Sequence, residues 1–199
     1  MLPNEPWLEQ YVPTGRLALD IGANVGVFSA HLVDRFTEVH AFEPHSEAAA
    51  AYRERFNGRA RLETKAVGAE CGTLTLQRFQ ESVHTSAVVY DDLHLNMFVR
   101  GDAADTFEVP MVSVDSLGLA PDFVKVDTEG FEYQVLLGAQ ETLRTVKPTV
   151  LIEIHSLKFG MQCARLLGRF GYEFEIVPHP SFDAGPNNYW IAGQPQGGQ

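Results

Sequence analysis

The sequence predicts an open, mostly parallel α/β sheet with helices on both faces. Three observations carry that reading. Short apolar stretches alternate with segments of helical period along most of the 199 residues. Several of those stretches end on polar side chains, namely Asp20, Glu43, Asp127, Glu153 and His155. The last two strand candidates follow one another with no helix between them. In such a sheet the ligand sits at the carboxyl ends of the strands, near the point where strand order reverses. Those five residues therefore converge on one edge.

The length suits a single domain over 1–199 with a substantial core. Apolar residues make up 45% and charged residues 21%, the balance of an ordinary globular protein. A formal charge of −11 argues against nucleic acid or an anionic membrane as partner and leaves a small molecule as the expected substrate. No run is long and apolar enough to cross a bilayer, and the N-terminus lacks a basic-then-apolar signal pattern. Cys71 and Cys163 are too few for a disulfide framework or a zinc site. A cytoplasmic protein with reduced thiols is expected.

Residues 1–16 form an N-terminal helical segment, with the helix over Glu5 to Tyr11, Asn4 as its N-cap and Pro6 in the first turn. Pro13 and Gly15 break the chain before the first strand, Leu17 to Ile21. The turn Asp20-Ile21-Gly22-Ala23-Asn24-Val25-Gly26 follows, then a helix from about Val25 to Arg35 with Phe28, Leu32 and Phe36 on one face. Gly22 and Gly26 remove side chains where a ligand approaches the backbone. The helix N-terminus is expected to direct free N–H groups into the same space. Asp20 puts a carboxylate beside that turn, where it repels a pyrophosphate. The pattern is not the Gly-x-Gly-x-x-Gly of dinucleotide sites. S-adenosylmethionine, which carries an ammonium and a sulfonium but no phosphate, suits the acid better.

Glu38 to Phe42 is the second strand. Glu43 at its end lies close to the roughly 20-residue offset at which an acid meets ribose hydroxyls in βαβ units, and Pro44 stops the strand there. A helix begins near Ser46, where Glu47 favours its positive end, and closes at Asn57-Gly58. Arg61 to Ala66 is the third strand, and its exit Ala66-Val67-Gly68 passes beside an adenine. Gly72 to Phe79 alternates as an added strand.

Residues 80–108 hold no clean period and are read as a substrate loop or lid. Asp91, Asp92 and His94 match no metal-ligand spacing, so a solvated acidic loop and no metal are expected. Glu108 to Val114 and Phe123 to Asp127 are further strands. Thr128-Glu129-Gly130 leads into a helix from about Phe131 whose buried face is Phe131, Val135, Leu136, Ala139 and Leu143. The strand Thr149 to His155, a helix over Leu157 to Phe170, and the strands Tyr172 to Val177 and Tyr189 to Ala192 complete the chain. A flexible tail, 193–199, is expected.

Asp20-Ile-Gly-Ala-Asn-Val-Gly26, Phe42-Glu43-Pro44, Lys125-Val-Asp-Thr-Glu-Gly-Phe-Glu132, Leu137-Gly138-Ala139 and Pro148 to Glu153 together resemble the FkbM family of S-adenosylmethionine-dependent methyltransferases. The resemblance runs from about residue 17 to 155. It implies a Rossmann-like class I methyltransferase fold, with a mostly parallel seven-stranded sheet and an antiparallel last strand. It also implies O-methylation of a hydroxyl on a sugar, polyketide or similar small metabolite. Asp20, Gly22, Asn24 and Gly26, with Phe28 beside them, would form the methionine-side loop. Glu43, next to Pro44, would hold the ribose hydroxyls, Ala66 and Val67 would flank the adenine, and Asp127 would lie near the ammonium or the transferred methyl.

An alcohol is a poor nucleophile until its proton leaves, which calls for a general base. His155 ranks first because its unperturbed pKa of about 6.5 lies near the operating pH; Glu129, Asp127 and Glu153 are the other candidates. Lys125 is expected as a buried ion-pair partner of Glu153 or Asp127. A nicotinamide-dependent oxidoreductase would need a glycine at or beside position 24, which Ala23, Asn24 and Val25 do not supply, and usually a Tyr/Lys pair on one helix, which is also missing. A non-catalytic S-adenosylmethionine-binding protein would lack several of the strand-end polar residues, all of which are here.

Overall fold

The computed structural model describes residues 9–79, 86–88, 103–178 and 189–196. In chain order the elements are β1 (Gly15–Ile21), α1 (Ser29–Leu32), β2 (Phe36–Phe42), α2 (Ser46–Phe56), β3 (Arg61–Glu63), β4 (Ala66–Val67), β5 (Gly72–Phe79), β6 (Ser86–Val88), β7 (Ala103–Val112), β8 (Phe123–Val126), α3 (Glu132–Leu137), α4 (Gln140–Thr145), β9 (Thr149–Ile154), α5 (Leu157–Arg169), β10 (Tyr172–Pro178) and β11 (Tyr189–Pro195). Seven strands form the main sheet in the order β10-β11-β9-β8-β1-β2-β3. The pairings β1–β2, β2–β3, β1–β8 and β8–β9 are parallel, while β11 runs antiparallel to both β9 and β10. The chain builds outward from β1 to β3, then returns to the other side of β1 with β8. Strand order therefore reverses between β1 and β8, and a crevice opens there.

Two-residue alternation sorts each strand between two cores. Leu17, Leu19 and Ile21 of β1 face the cluster completed by Val135, Leu136 and Leu143 and by Cys163, Leu166 and Leu167 of α5. Ala18 faces the opposite cluster with Val39, Phe123, Leu151, Trp190 and Leu32. Each such side chain taken fully from water stabilises the fold by about 1.5–3 kcal/mol. Asp20 shares the face of Ala18, and its register partner on β8 is Lys125. Sheet geometry thus stacks a carboxylate beside an ammonium.

Several elements differ from the sequence reading. The first helix is only Ser29–Leu32, because Asn24 (φ 50°) and Gly26 (φ 80°) adopt left-handed conformations that an α-helix cannot contain. Its N-terminus therefore lies beyond the turn at Gly22 and does not direct N–H groups into that space. The expected third strand is two strands in different sheets. Arg61–Glu63 pairs with β2, whereas Ala66–Val67 pairs with Met111 and Val112 of β7. A second sheet, β4-β7-β5-β6, results.

β7 and β6 both cut into the stretch read as a lid. From Thr106 onward, exposed Thr106, Glu108 and Pro110 alternate with Phe107, Val109 and Met111, of which Val109 and Met111 are buried. Residues 80–85 and 89–102, with Asp91, Asp92 and His94, lie outside the described residues, as do residues 1–8 and 197–199. Of the N-terminal helix, the described part is a 3₁₀ turn, Glu9–Tyr11.

The helix after Gly130 is two, parted at Gly138 and Ala139. A side chain at Gly138 would collide with the carbonyl of Gly68, so glycine lets the β4 exit pack against the break. The expected buried face, Phe131, Val135, Leu136, Ala139 and Leu143, is buried throughout. Gly193 to Pro195 do not belong to a flexible tail. They extend β11, pairing from Gly193 with Val150 to Pro195 with Tyr172.

Candidate active site

The crevice at the β1/β8 switch point opens into a cavity lined by the ends of β1, β2 and β8 and by β4 and β5. Its floor is the turn after β1. The N–H groups of Gly22 and Ala23 both donate to the carbonyl of Phe42, at 2.9 and 3.0 Å, which ties the turn to the end of β2. Gly22 has φ 75°, and a Cβ there would run into the backbone oxygen of Asp127. Only glycine lets the two strand exits touch. Asn24 donates its N–H to Glu43 Oε2 at 2.9 Å, and its own Oδ1 accepts from Val25 N at 2.7 Å.

Glu43 is 6% exposed, and its Oε1 accepts the N–H of His45 at 2.8 Å. Burial raises its proton affinity, against the lowering effect of the two N–H donors. Each oxygen uses one lone pair on the backbone, so the carboxylate keeps acceptor capacity toward the cavity. Pro44, Ala66, Val67, Leu74, Leu76 and Phe131 supply apolar walls. Leu74 and Leu76 come from β5 in the second sheet, which the sequence reading had set apart from the cofactor unit. Residues capable of holding ribose hydroxyls and a flat apolar base therefore adjoin one another.

Of the residues singled out from sequence for the cofactor, Gly22, Asn24, Glu43, Pro44, Ala66, Val67 and Asp127 line this cavity, and Asp20, Gly26 and Phe28 do not. Asp20 is fully buried. Its Oδ2 accepts from Ser29 Oγ at 2.6 Å, Ser29 Oγ accepts from Tyr52 at 2.8 Å, and Oδ1 lies 3.1 Å from Lys125 Nζ. Gly26 packs against the rings of Tyr52 and Phe56. Phe28 stacks between Phe123 and Trp190, with the Lys125 ammonium 5.7 Å from its ring.

Lys125 joins the two halves. Its Nζ donates to the carbonyl of Gly22 at 2.9 Å and lies 3.4 Å from Asp127 Oδ2. Burial alone would lower its pKa, but the charges of Asp20 and Asp127 drive it upward, so the ammonium stays charged. The expected partner Asp127 is present, and Asp20 is the nearer one.

His155 lies next to Asp127 and Glu129, which line the cavity, but does not line it itself. Its Nδ1 lies 3.2 Å from Glu132 Oε1, and its Nε2 lies 3.4 Å from Glu129 and 3.8 Å from each of Asp127 and Glu153. Burial would lower its pKa, but the hydrogen bond and charge of Glu132, with Glu129 and Asp127, push it up to about 10. An imidazolium has no lone pair to accept a proton, so in that charge state His155 would position its neighbours, and the base would fall to Glu129, Asp127 or Glu153. Burial and the charge of Asp127 push Glu153 up to about 8, against the opposing effects of His155 and Lys125. Burial likewise drives Glu129 upward, moderated by solvent because 40% of its side chain is exposed.

Glu132 went unassigned in the sequence reading. It is fully buried, and its Oε1 accepts from Gly130 N at 2.8 Å, Thr128 N at 3.2 Å and Thr128 Oγ1 at 3.3 Å. The available signal was an acid in the first turn of α3, where a side chain reaches back over the preceding loop. That loop holds Glu129 at φ 54°, a left-handed conformation uncommon for a residue with a side chain. Glu129 lines the cavity.

A parallel sheet in this order, closed by an antiparallel strand and carrying an acid-lined cavity at its switch point, defines a Rossmann-like methyltransferase. The model of the FkbM methyltransferase domain matches residues 20–182. The chain belongs to that family, and S-adenosylmethionine is its cofactor. It is similar in fold to an FkbM methyltransferase from Methylobacillus flagellatus, at 16% identity and TM-score 0.66, over 91% of this chain but 44% of that one. The chain thus spans less than half the length of that protein. It is also similar to an rRNA methylase from Streptococcus thermophilus (11% identity, TM-score 0.56, 96% of this chain and 93% of that chain). A third likeness is to a putative methyltransferase from Streptococcus mutans in complex with SAH (11%, TM-score 0.52, 94% of both chains). No curated protein sequence matches the chain.

Proposed function

We propose that this protein is an O-methyltransferase acting on a hydroxyl of a sugar, polyketide or similar small metabolite. The observation that carries the reading is Glu129, a carboxylate held in a left-handed backbone on the cavity wall beside Asp127. Strained backbone at a cavity is a mark of a site whose geometry matters, and a half-exposed carboxylate there is placed to accept an acceptor's proton. The formal charge of −11 favours a small acceptor over a polyanionic nucleic acid. Two free cysteines are in keeping with a reducing cytoplasm, and among the described residues no helix is long and apolar enough to cross a membrane.

In this reading Glu43 holds the ribose hydroxyls, and Pro44, Ala66 and Val67, with Leu74 and Leu76, enclose the adenine. Gly22 and Asn24 shape the methionine-side floor, and Asp127 lies beside the transferred methyl. When bound, the cofactor supplies a methyl group on a sulfonium, whose C–S bond breaks as the C–O bond forms. Glu129 takes the hydroxyl proton. Glu132 and the His155 imidazolium hold Glu129 and Asp127 in register, a positioning task.

The test is turnover on a panel of hydroxylated sugars and macrolide alcohols, alongside calorimetric titration with S-adenosylhomocysteine. Glu129→Gln is expected to reduce turnover at least 100-fold, the lower end for loss of a general base, with cofactor affinity within twofold. Turnover unchanged in that variant, or confined to amine acceptors, would refute the assignment.

A further inference from the structure

We propose that Asp127, Glu153 and His155 form a binding site for a hard divalent cation that engages the acceptor hydroxyl; the proposal rests on reading the chain as an O-methyltransferase. Sheet register brings the three donors together. Phe123, Lys125 and Asp127 follow one another in steps of two along β8 and its exit, as do Leu151, Glu153 and His155 along β9, and Lys125 pairs with Leu151. Asp127 and Glu153 are therefore neighbours on one face, with His155 just past the strand end. One donor atom from each lies within 4.8 Å of the other two. Bound ions hold oxygen and nitrogen donors at about 2.0–2.2 Å, so the side chains close in by roughly 1 Å or less around an ion.

Two further features point to a cation. The first is the ring's orientation. Glu132 fixes Nδ1 at 3.2 Å and is itself pinned by the Gly130 and Thr128 N–H groups, which leaves Nε2 3.8 Å from both Asp127 and Glu153, with Glu129 at 3.4 Å. A carboxylate behind a histidine that faces two more is the usual outer shell of a metal-binding imidazole. The second is charge. Glu132 is fully buried, and its Oε2 has no hydrogen-bond partner among the described residues. With Asp127, Glu129 and Glu153 it makes four carboxylates around one imidazole, while the nearby Lys125 also serves Asp20 and the Gly22 carbonyl. Acidic side chains crowded this closely repel one another, and a divalent cation among them relieves that repulsion.

Two carboxylates and one imidazole match Mg²⁺ or Mn²⁺ better than a soft metal. The ion takes the position that the Nε2 proton holds in its absence. Three protein donors leave coordination positions for the acceptor's hydroxyl oxygen and for water. There the ion lowers the hydroxyl's pKa, and the released proton passes to Glu129 while the oxygen takes the methyl group.

The experiment uses the full chain, treated with chelator and titrated with MnCl₂ by electron paramagnetic resonance and calorimetry. One Mn²⁺ per chain is expected at micromolar to submillimolar affinity, weakened at least tenfold in Glu153→Gln and in His155→Asn. S-adenosylhomocysteine binding and thermal unfolding certify that each variant is folded, and the second variant serves if the first is not. No Mn²⁺ binding at millimolar concentration, or unaltered binding in both folded variants, overturns the proposal. Uptake of a simple alkylammonium in place of Mn²⁺ overturns it in favour of a cationic acceptor. Full methyl transfer to alcohols in the presence of chelator removes the ion while leaving the O-methyltransferase reading intact. Mn²⁺ bound as described, with no alcohol on the panel methylated, sinks that reading and leaves the cation site standing.

Discussion

Lys125→Met tests the central structural claim, that one buried ammonium holds the β1 turn against the β8 exit. The ammonium is 3% exposed and lies 3.1 Å from Asp20, itself wholly buried, while donating at 2.9 Å to the carbonyl of Gly22. Methionine preserves the stem but leaves Asp20 as a buried charge with Ser29 as its remaining donor. Breaking a buried pair from one side costs about 3–5 kcal/mol. At about 2–4 °C per kcal/mol for a chain of this size, Tm should fall by roughly 6–20 °C. Replacing Asp20 by Asn in the same chain removes the stranded charge and keeps an acceptor for Ser29. The double variant should therefore be more stable than Lys125→Met by about 1 kcal/mol or more, within the usual range of coupling between neighbours. Urea denaturation of the four proteins in the cycle measures this, with S-adenosylhomocysteine affinity as a second readout because the Gly22 carbonyl loses its anchor. A loss below about 1 kcal/mol in the single variant, or a double variant no better than the single, refutes the reasoning.

Glu43→Ala should weaken S-adenosylhomocysteine binding by about 1–3 kcal/mol, or roughly 5- to 150-fold, with Glu43→Gln intermediate because it keeps one acceptor oxygen; unchanged calorimetric affinity would place the ribose elsewhere. Gly22→Ala combines a left-handed φ with a collision at the Asp127 carbonyl, so about 1–3 kcal/mol of stability should be lost together with cofactor affinity. Thermal unfolding with and without S-adenosylhomocysteine separates the two, and wild-type behaviour in both would show that the turn relaxes freely.

Much of the main sheet was legible because its signals are local. Apolar runs, the turn at Asn57-Gly58 and the strands ending at Phe42, Val126 and Ile154 announce themselves within a few residues. The errors arise where non-local pairing decides. Nothing in Arg61 to Val67 reveals that its two halves join different sheets, since the partner of Ala66 and Val67 is β7, far along the chain. The strand expected from Glu108 begins earlier, at Ala103, because residues 103–107 pair with β5, a partner that no local period announces. At the site, Glu43 was legible from its offset after the glycine turn, and the Lys125–Asp127 pair from their shared strand face. Glu132 was not, because its importance depends on Thr128, Gly130 and His155 converging on one oxygen.

Asp20 shows why nearness to a strand end does not by itself assign a role. Residues one step apart point to opposite faces, so Ile21 and Asp20 leave the same strand in different directions. Asp20 pairs in register with Lys125, and the sheet interior neutralises its charge before a ligand arrives. Asp127, one step beyond the last paired residue of β8, keeps 27% of its side chain in the open and lies on the cavity wall. A wholly buried carboxylate already bound to an ammonium has little left to offer a ligand, whereas a half-buried one can change partners. Two groups of acids at this edge therefore separate: Asp20 and Glu132, wholly buried, set the shape of the loops, and Asp127 and Glu129 reach the cavity. That division predicts which substitutions act through stability and which through affinity or turnover. A single shared phenotype across both groups would show that depth is not the deciding variable.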